Sequence, residues 1–155
     1  MQFVIKVIKV IKTPKAMQTF GKKLAKLCTT GCCIYFSGEL GAGKTTLIRG
    51  ILRALGYVGH VKSPTFTLLE TYTLAEKVIY HFDLYRLKDP AELEYIGARD
   101  YFSPDVISFV EWPEYGKDFL PEPDFVCKIT FNQSTRIVEI LPISNKGKQL
   151  IRKLK

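Results

Sequence analysis

Apolar positions divide this chain into short strand-like and helix-like stretches that alternate. Val4 to Ile11 repeats apolar-apolar-Lys, which fits neither a period of 2 nor one of 3.6, and its β-branched residues favour a strand. Thr13 then offers an N-cap and Pro14 a first helical residue for a helix that sets Met17, Phe20, Leu24, Leu27 and Cys28 on one side. Cys33 to Phe36 is a short apolar run ending at Ser37-Gly38, as a buried parallel strand should. Thr46 to Leu55 carries Leu47, Ile48, Ile51, Leu52 and Leu55 on one helical face and stops at Gly56.

Further on, Ser63-Pro64-Thr65 punctuates, Phe66 to Tyr72 and Val78 to Leu84 read as strands, and Leu74 to Lys77 is the turn between them. Asp89 as acidic cap, Pro90 and Glu92 open a helix through about Ile96, and Val106 to Val110 is a fully apolar strand. Beyond Pro113 the chain reads as loop through Pro121-Glu122-Pro123. Phe125 to Phe131 and Thr135 to Leu141 then form a hairpin across Asn132-Gln133-Ser134, and a short basic helix, residues 146 to 155, closes the chain. The order of elements predicts an α/β fold: a three-layer α/β/α domain over residues 1 to 155, with a mainly parallel central sheet and a C-terminal β-hairpin.

Composition narrows the class. The chain has 155 residues, enough to bury a core without disulfides or metal. No apolar run is long enough to span a membrane, and the Lys-punctuated N-terminal stretch lacks a secretory core, so the expectation is a cytoplasmic protein with no membrane partner, monomeric on its own. Cys28, Cys32, Cys33 and Cys127 form no Cys-x-x-Cys pair and read as reduced core or near-core thiols. The net charge of +8 resides in the two ends, since residues 1 to 38 and 144 to 155 contain no acid. Such ends suit a polyanion or an acidic surface, or are simply solvated faces.

Residues Gly38-Glu39-Leu40-Gly41-Ala42-Gly43-Lys44-Thr45 fit G-x-x-x-x-G-K-[ST], between a strand and a helix as a P-loop requires. Its glycines let the backbone curl with N–H groups inward, making an anion nest that the following helix N-terminus reinforces. Lys44 would reach the β- and γ-phosphates of a nucleoside triphosphate, and the Thr45 hydroxyl would take a place on Mg²⁺. Two apolar strands end in acids, Asp83 and Glu111, and strand C-termini in open α/β sheets face the ligand. Glu111 is assigned to Mg²⁺ and Asp83 to the attacking water, with the two roles open to exchange. Trp112, the only tryptophan, either stacks on a purine, walls the cleft or packs in the core. Thr65 and Thr67 are candidates for a switch that senses the metal and the γ-phosphate, or else ordinary turn residues. His81, mid-strand among apolar neighbours, reads as a satisfied structural histidine. The only Asn-Lys, at Asn145-Lys146, has Lys148 where a guanine site needs an acid, which disfavours GTP. Two alternatives stand beside hydrolysis: a P-loop kinase for a small molecule or nucleotide, if Arg86, Arg99 and Arg136 converge, and an ATP-gated scaffold with incidental hydrolysis.

Taken together, Gly38 to Thr46, Val61 to Leu68, His81-Phe82-Asp83-Leu84-Tyr85-Arg86-Leu87 and Val110-Glu111-Trp112-Pro113 resemble the TsaE (YjeE) family of bacterial ATPases over nearly the whole chain. The resemblance implies an Mg²⁺-dependent ATPase in the formation of threonylcarbamoyladenosine next to the tRNA anticodon. It implies slow turnover that depends on a TsaB–TsaD heterodimer as partner, with tRNA engaged indirectly or through the basic termini. Carried over by position, Gly41, Ala42, Gly43, Lys44 and Thr45 bind the phosphates, with Gly38, Glu39, Leu40 and Thr46 completing the nucleotide-binding stretch, Thr45, Glu111 and Asp83 attend Mg²⁺, and Lys44, Asp83 and Glu111 support hydrolysis. Trp112, Thr13 and Arg136 are implied as further nucleotide contacts. The Lys-rich N-terminal repeat departs from the family's pattern.

Overall fold

The computed structural model describes residues 5–154, so the Val4 end of the first predicted strand and Lys155 lie outside the described residues. Seven strands form one sheet in the order β1-β7-β6-β2-β5-β4-β3. β2 (Cys32–Ser37), β4 (Val78–Asp83), β5 (Ile107–Glu111) and β6 (Phe125–Asn132) make its parallel centre. β1 (Val7–Ile11), β3 (Leu69–Thr73) and β7 (Thr135–Pro142) join antiparallel at the flanks. The centre is the part built from apolar runs. β5 is buried along its whole length, as a strand covered on both faces must be.

Alternation along the strands sorts side chains into two layers. Ile34, Phe36, Ile107, Phe109 and Ile79 meet α1 (Pro14–Leu24) and α2 (Lys44–Ala54) in the larger core. Phe82 and Val110 point the other way, onto Leu93 of α3 (Glu92–Tyr95) and Ala98. Helices α1 and α2 lie against each other at close range: a Cβ on Gly50 would stand 2.3 Å from the Gln18 carbonyl oxygen, and one on Gly21 2.6 Å from that of Leu47. The Thr13 hydroxyl caps α1 by accepting the Ala16 N–H at 3.0 Å, with Pro14 beginning the helix as expected.

Four stretches differ from the pattern. The strand expected from Phe66 starts only at Leu69, because residues 65–67 turn and Leu68 has φ +69°. Helix α2 begins at Lys44, two residues early, since the loop glycines hand the backbone directly to the helix. The stretch after Pro113 holds two short 3₁₀ turns, Pro113–Tyr115 and Lys117–Phe119. The C-terminal helix is α4 (Asn145–Leu150), continued by a 3₁₀ turn Ile151–Leu154.

Candidate functional site

The site lies where β2, β4 and β5 end. β2 hands over to a loop whose Gly41 and Gly43 have φ +80° and +110°, and α2 follows at once. At Gly43 that left-handed backbone strains any side chain, and a Cβ would stand 3.1 Å from Met17 Cε, so the methionine tip would also have to give way. Lys44 is folded back under the loop and only 6% exposed. Its Nζ donates to the Gly38 carbonyl and, at 3.2 Å, to that of Glu39, and stands 3.9 Å from the Trp112 ring centroid. Burial lowers the Lys44 pKa from its usual 10.5, against an upward pull from Glu111, Asp83 and Glu114.

Strand register brings the two acids side by side. Asp83 pairs with Glu111 across β4 and β5, and Glu111 pairs with Phe36 across β5 and β2, so both carboxylates flank the start of the loop. The Thr45 hydroxyl donates to Glu111 Oε1 at 3.1 Å. Glu111 Oε2 is also 2.9 Å from His81 Nε2. Asp83 Oδ2 accepts the hydroxyls of Ser63 at 2.8 Å and Thr65 at 2.9 Å, while Oδ1 accepts the Tyr85 N–H at 3.0 Å. These oxygens form a hard donor set suited to Mg²⁺. Among the described residues, no group of three or more His, Cys, Asp and Glu could hold a metal by itself.

Two cavities flank the loop and share Gly41, Ala42, Gly43 and Thr46. One, about 220 Å³, adds Leu40, Thr45, Asp83, Glu111 and Trp112. The other, about 210 Å³, adds Thr13, Met17 and Arg136. Trp112 therefore stands on the carboxylate side, across the loop from Thr13 and Arg136, and stacks on Tyr115 at 5.8 Å. The Glu39 side chain is exposed, and only its carbonyl joins the Lys44 contacts.

Some candidates stay outside. Thr67 donates to Glu70 at 3.2 Å, away from Asp83. Arg86 lies over Phe66 and exposed Arg99 is 3.8 Å from Glu94, both outside the two cavities, whereas Arg136 lines the Thr13-side cavity and lies over Phe131, so the three arginines do not converge. His81 is buried as expected but only half satisfied, since Nδ1 has no hydrogen-bond partner among the described residues. The pattern of residues missed its contact with Glu111 and the hold of Ser63 on Asp83. No local signal could have found them, since His81 and Glu111 are 30 residues apart in sequence and Ser63 and Asp83 are 20.

The model of the family described as threonylcarbamoyl adenosine biosynthesis protein TsaE matches residues 11–138. A Haemophilus influenzae protein named tRNA threonylcarbamoyladenosine biosynthesis protein TsaE is 48% identical over 141 residues, covering 88% of this chain and 89% of that protein. A Bacillus subtilis protein of the same name is 35% identical over 109 residues, covering 70% of this chain and 68% of its own length. The crystal structure of Bacillus subtilis YdiB superposes with a TM-score of 0.83 at 24% identity, covering 99% of this chain and 97% of that one, a likeness of fold.

Proposed function

Because the chain belongs to the TsaE family, we propose that it is an Mg²⁺-dependent ATPase in the biosynthesis of threonylcarbamoyladenosine on tRNA, next to the anticodon, acting in the cytoplasm with a TsaB–TsaD pair. The observation that carries the reading is the meeting of Lys44, the Thr45–Glu111 hydrogen bond and Asp83 at one end of three parallel strands, under a glycine loop. ATP would lie along that loop, its phosphates toward Lys44 and Thr45 and its nucleoside toward Thr13 and Arg136, because the two cavities meet at residues 41–43 and Thr46. When bound, Mg²⁺ would neutralise charge on the β- and γ-phosphates.

The chain's own residues divide the remaining work. Thr45 and Glu111 Oε1 would hold the cation. Lys44 would leave the Gly38 and Glu39 carbonyls for the phosphates, which return to its charge the partner that burial denies it. Asp83, fixed by Ser63, Thr65 and the Tyr85 N–H, is rigid enough to orient a water in line with the β–γ bond. No covalent intermediate is required.

Phosphate release from ATP with Mg²⁺, alone and with a TsaB–TsaD pair, tests the reading with Lys44→Ala as the blank. Release should be slow alone, rise well above that with the pair, and stay flat in the blank. Equal release with and without the pair, with ATP still bound, would remove the partner-dependent part. Phosphate arriving on an acceptor other than water would establish the kinase alternative.

A further inference from the structure

Glu111 has a partner that the hydrolytic scheme does not use. His81 lies two residues before Asp83 on β4, so both side chains leave the sheet on one face, toward the end of β5 where Glu111 sits. His81 Nε2 stands 2.9 Å from Glu111 Oε2, in a contact where the side chains are 0% and 2% exposed. A carboxylate can only accept, so the ring N–H belongs on Nε2 and donates. That choice strands Nδ1, which is buried with no partner among the described residues. A histidine present for core stability alone would be a poor solution, because an apolar side chain fills such a place without leaving a polar atom unpaired.

The contact also biases the carboxylate. Oε2 takes His81 at 2.9 Å, while the Thr45 hydroxyl reaches both oxygens and lies nearer Oε1, at 3.1 Å, than Oε2, at 3.4 Å. Since the terminal torsion of Glu is broad and weakly restrained on its own, a donor at Oε2 removes the freedom that would let Oε1 swing away from Thr45 and the cavity. We infer that His81 is a positioning residue: it pins the Glu111 carboxylate toward Thr45 and thereby sets the affinity for the divalent cation that accompanies the nucleotide. The inference rests on the nucleotide reading proposed above. Loss of such an outer hydrogen bond typically weakens metal binding by about 10–100-fold.

Trp112 is the chain's only tryptophan and lines the same cavity as Glu111, so its fluorescence reports the site without turnover. The experiment is a titration of Mg²⁺ against the full chain with ATP, repeated with ATP and a chelator to read nucleotide binding alone. His81→Leu should raise the half-saturating Mg²⁺ concentration about 10-fold or more and leave binding in chelator unchanged. His81→Gln, whose amide reaches the Nε2 position, should restore Mg²⁺ affinity to near that of the wild type. His81→Asn, polar but too short to reach Glu111, should behave like leucine, and it serves if the leucine variant does not fold. Wild-type Mg²⁺ affinity in both Leu and Asn variants, or equal loss in the Gln variant, would overturn the inference while leaving the nucleotide reading intact. If the wild type binds no nucleotide in either condition, both fall together.

Discussion

Lys44 is a charge held in a place that resists charge. Its pKa is lowered from 10.5, chiefly by burial, so in the window between the folded value and 10.5 the unfolded chain binds more protons than the folded one. Stability conferred through this residue therefore rises with pH across that window, and below it the full cost of burying the ammonium remains. Lys44→Met removes the titration. The stability of the wild type relative to Lys44→Met, from melting curves, should improve as pH climbs from neutral toward 10.5, and a constant difference would refute the linkage. The thiols lie at the opposite extreme of reactivity. Burial and the nearby Asp124 carboxylate push Cys33 up to about 12, and burial pushes Cys127 well above the ordinary thiol range. Since only the thiolate attacks, neither should react with a thiol reagent near neutral pH until the chain unfolds, when all four cysteines should titrate. Fast labelling of Cys33 in the folded protein would contradict this.

Helices α1 and α2 carry the next prediction, because their spacing decides where the loop sits. A Cβ at Gly50 meets backbone atoms of Gln18, which cannot rotate aside as a side chain can. Gly50→Ala should cost at least about 1–3 kcal/mol and also weaken nucleotide binding, although residue 50 touches neither cavity. The link is Met17 of α1, which packs beside Gly43, the residue that precedes α2. Thr13→Ala, by contrast, should cost about 1 kcal/mol, with Thr13→Ser near wild type, since the hydroxyl caps α1. Melting temperature and ATP titration check both variants, and wild-type binding by a destabilised Gly50→Ala would break the proposed coupling. Elements of this kind were legible to different degrees. The Thr13-Pro14 cap, the P-loop and the apolar runs of β2 and β5 are local signals, and they appear where the pattern put them. Early turning at residues 65–67 was not readable, because the backbone there follows from hydroxyls of Ser63 and Thr65 reaching Asp83, eighteen or more residues away. The place of β1 was equally hidden. Its Lys-punctuated pattern indicates a strand, but only long-range pairing shows it antiparallel to β7 at the sheet edge, where lysines discourage further strand addition.

At the scale of the whole molecule, the sheet order puts the two halves of the site on opposite sides of one strand. From β2, the route through β5 to β4 supplies Glu111 and Asp83, and the route through β6 to β7 supplies Arg136, with β1 leading to Thr13 at the edge. Asp83 and Glu111 were legible as acids ending apolar strands. Their adjacency, and the His81 contact, required the register of strands far apart in sequence, which no local pattern carries. An ATP molecule bridging both cavities should stabilise the chain as one unit, by about 2.7 kcal/mol at a hundredfold excess over Kd, or roughly 5–10 °C in a single melting transition. Tripolyphosphate, which lacks the nucleoside, separates the halves. Arg136→Ala should reduce the shift from Mg²⁺·ATP while leaving that from Mg²⁺ with tripolyphosphate unchanged, because Arg136 lines only the cavity on the Thr13 side. Lys44→Ala should abolish both shifts, since its Nζ is the cation beneath the loop. Equal loss of both shifts in Arg136→Ala would mean that this guanidinium reaches the phosphates, and the nucleoside would then have to be assigned elsewhere.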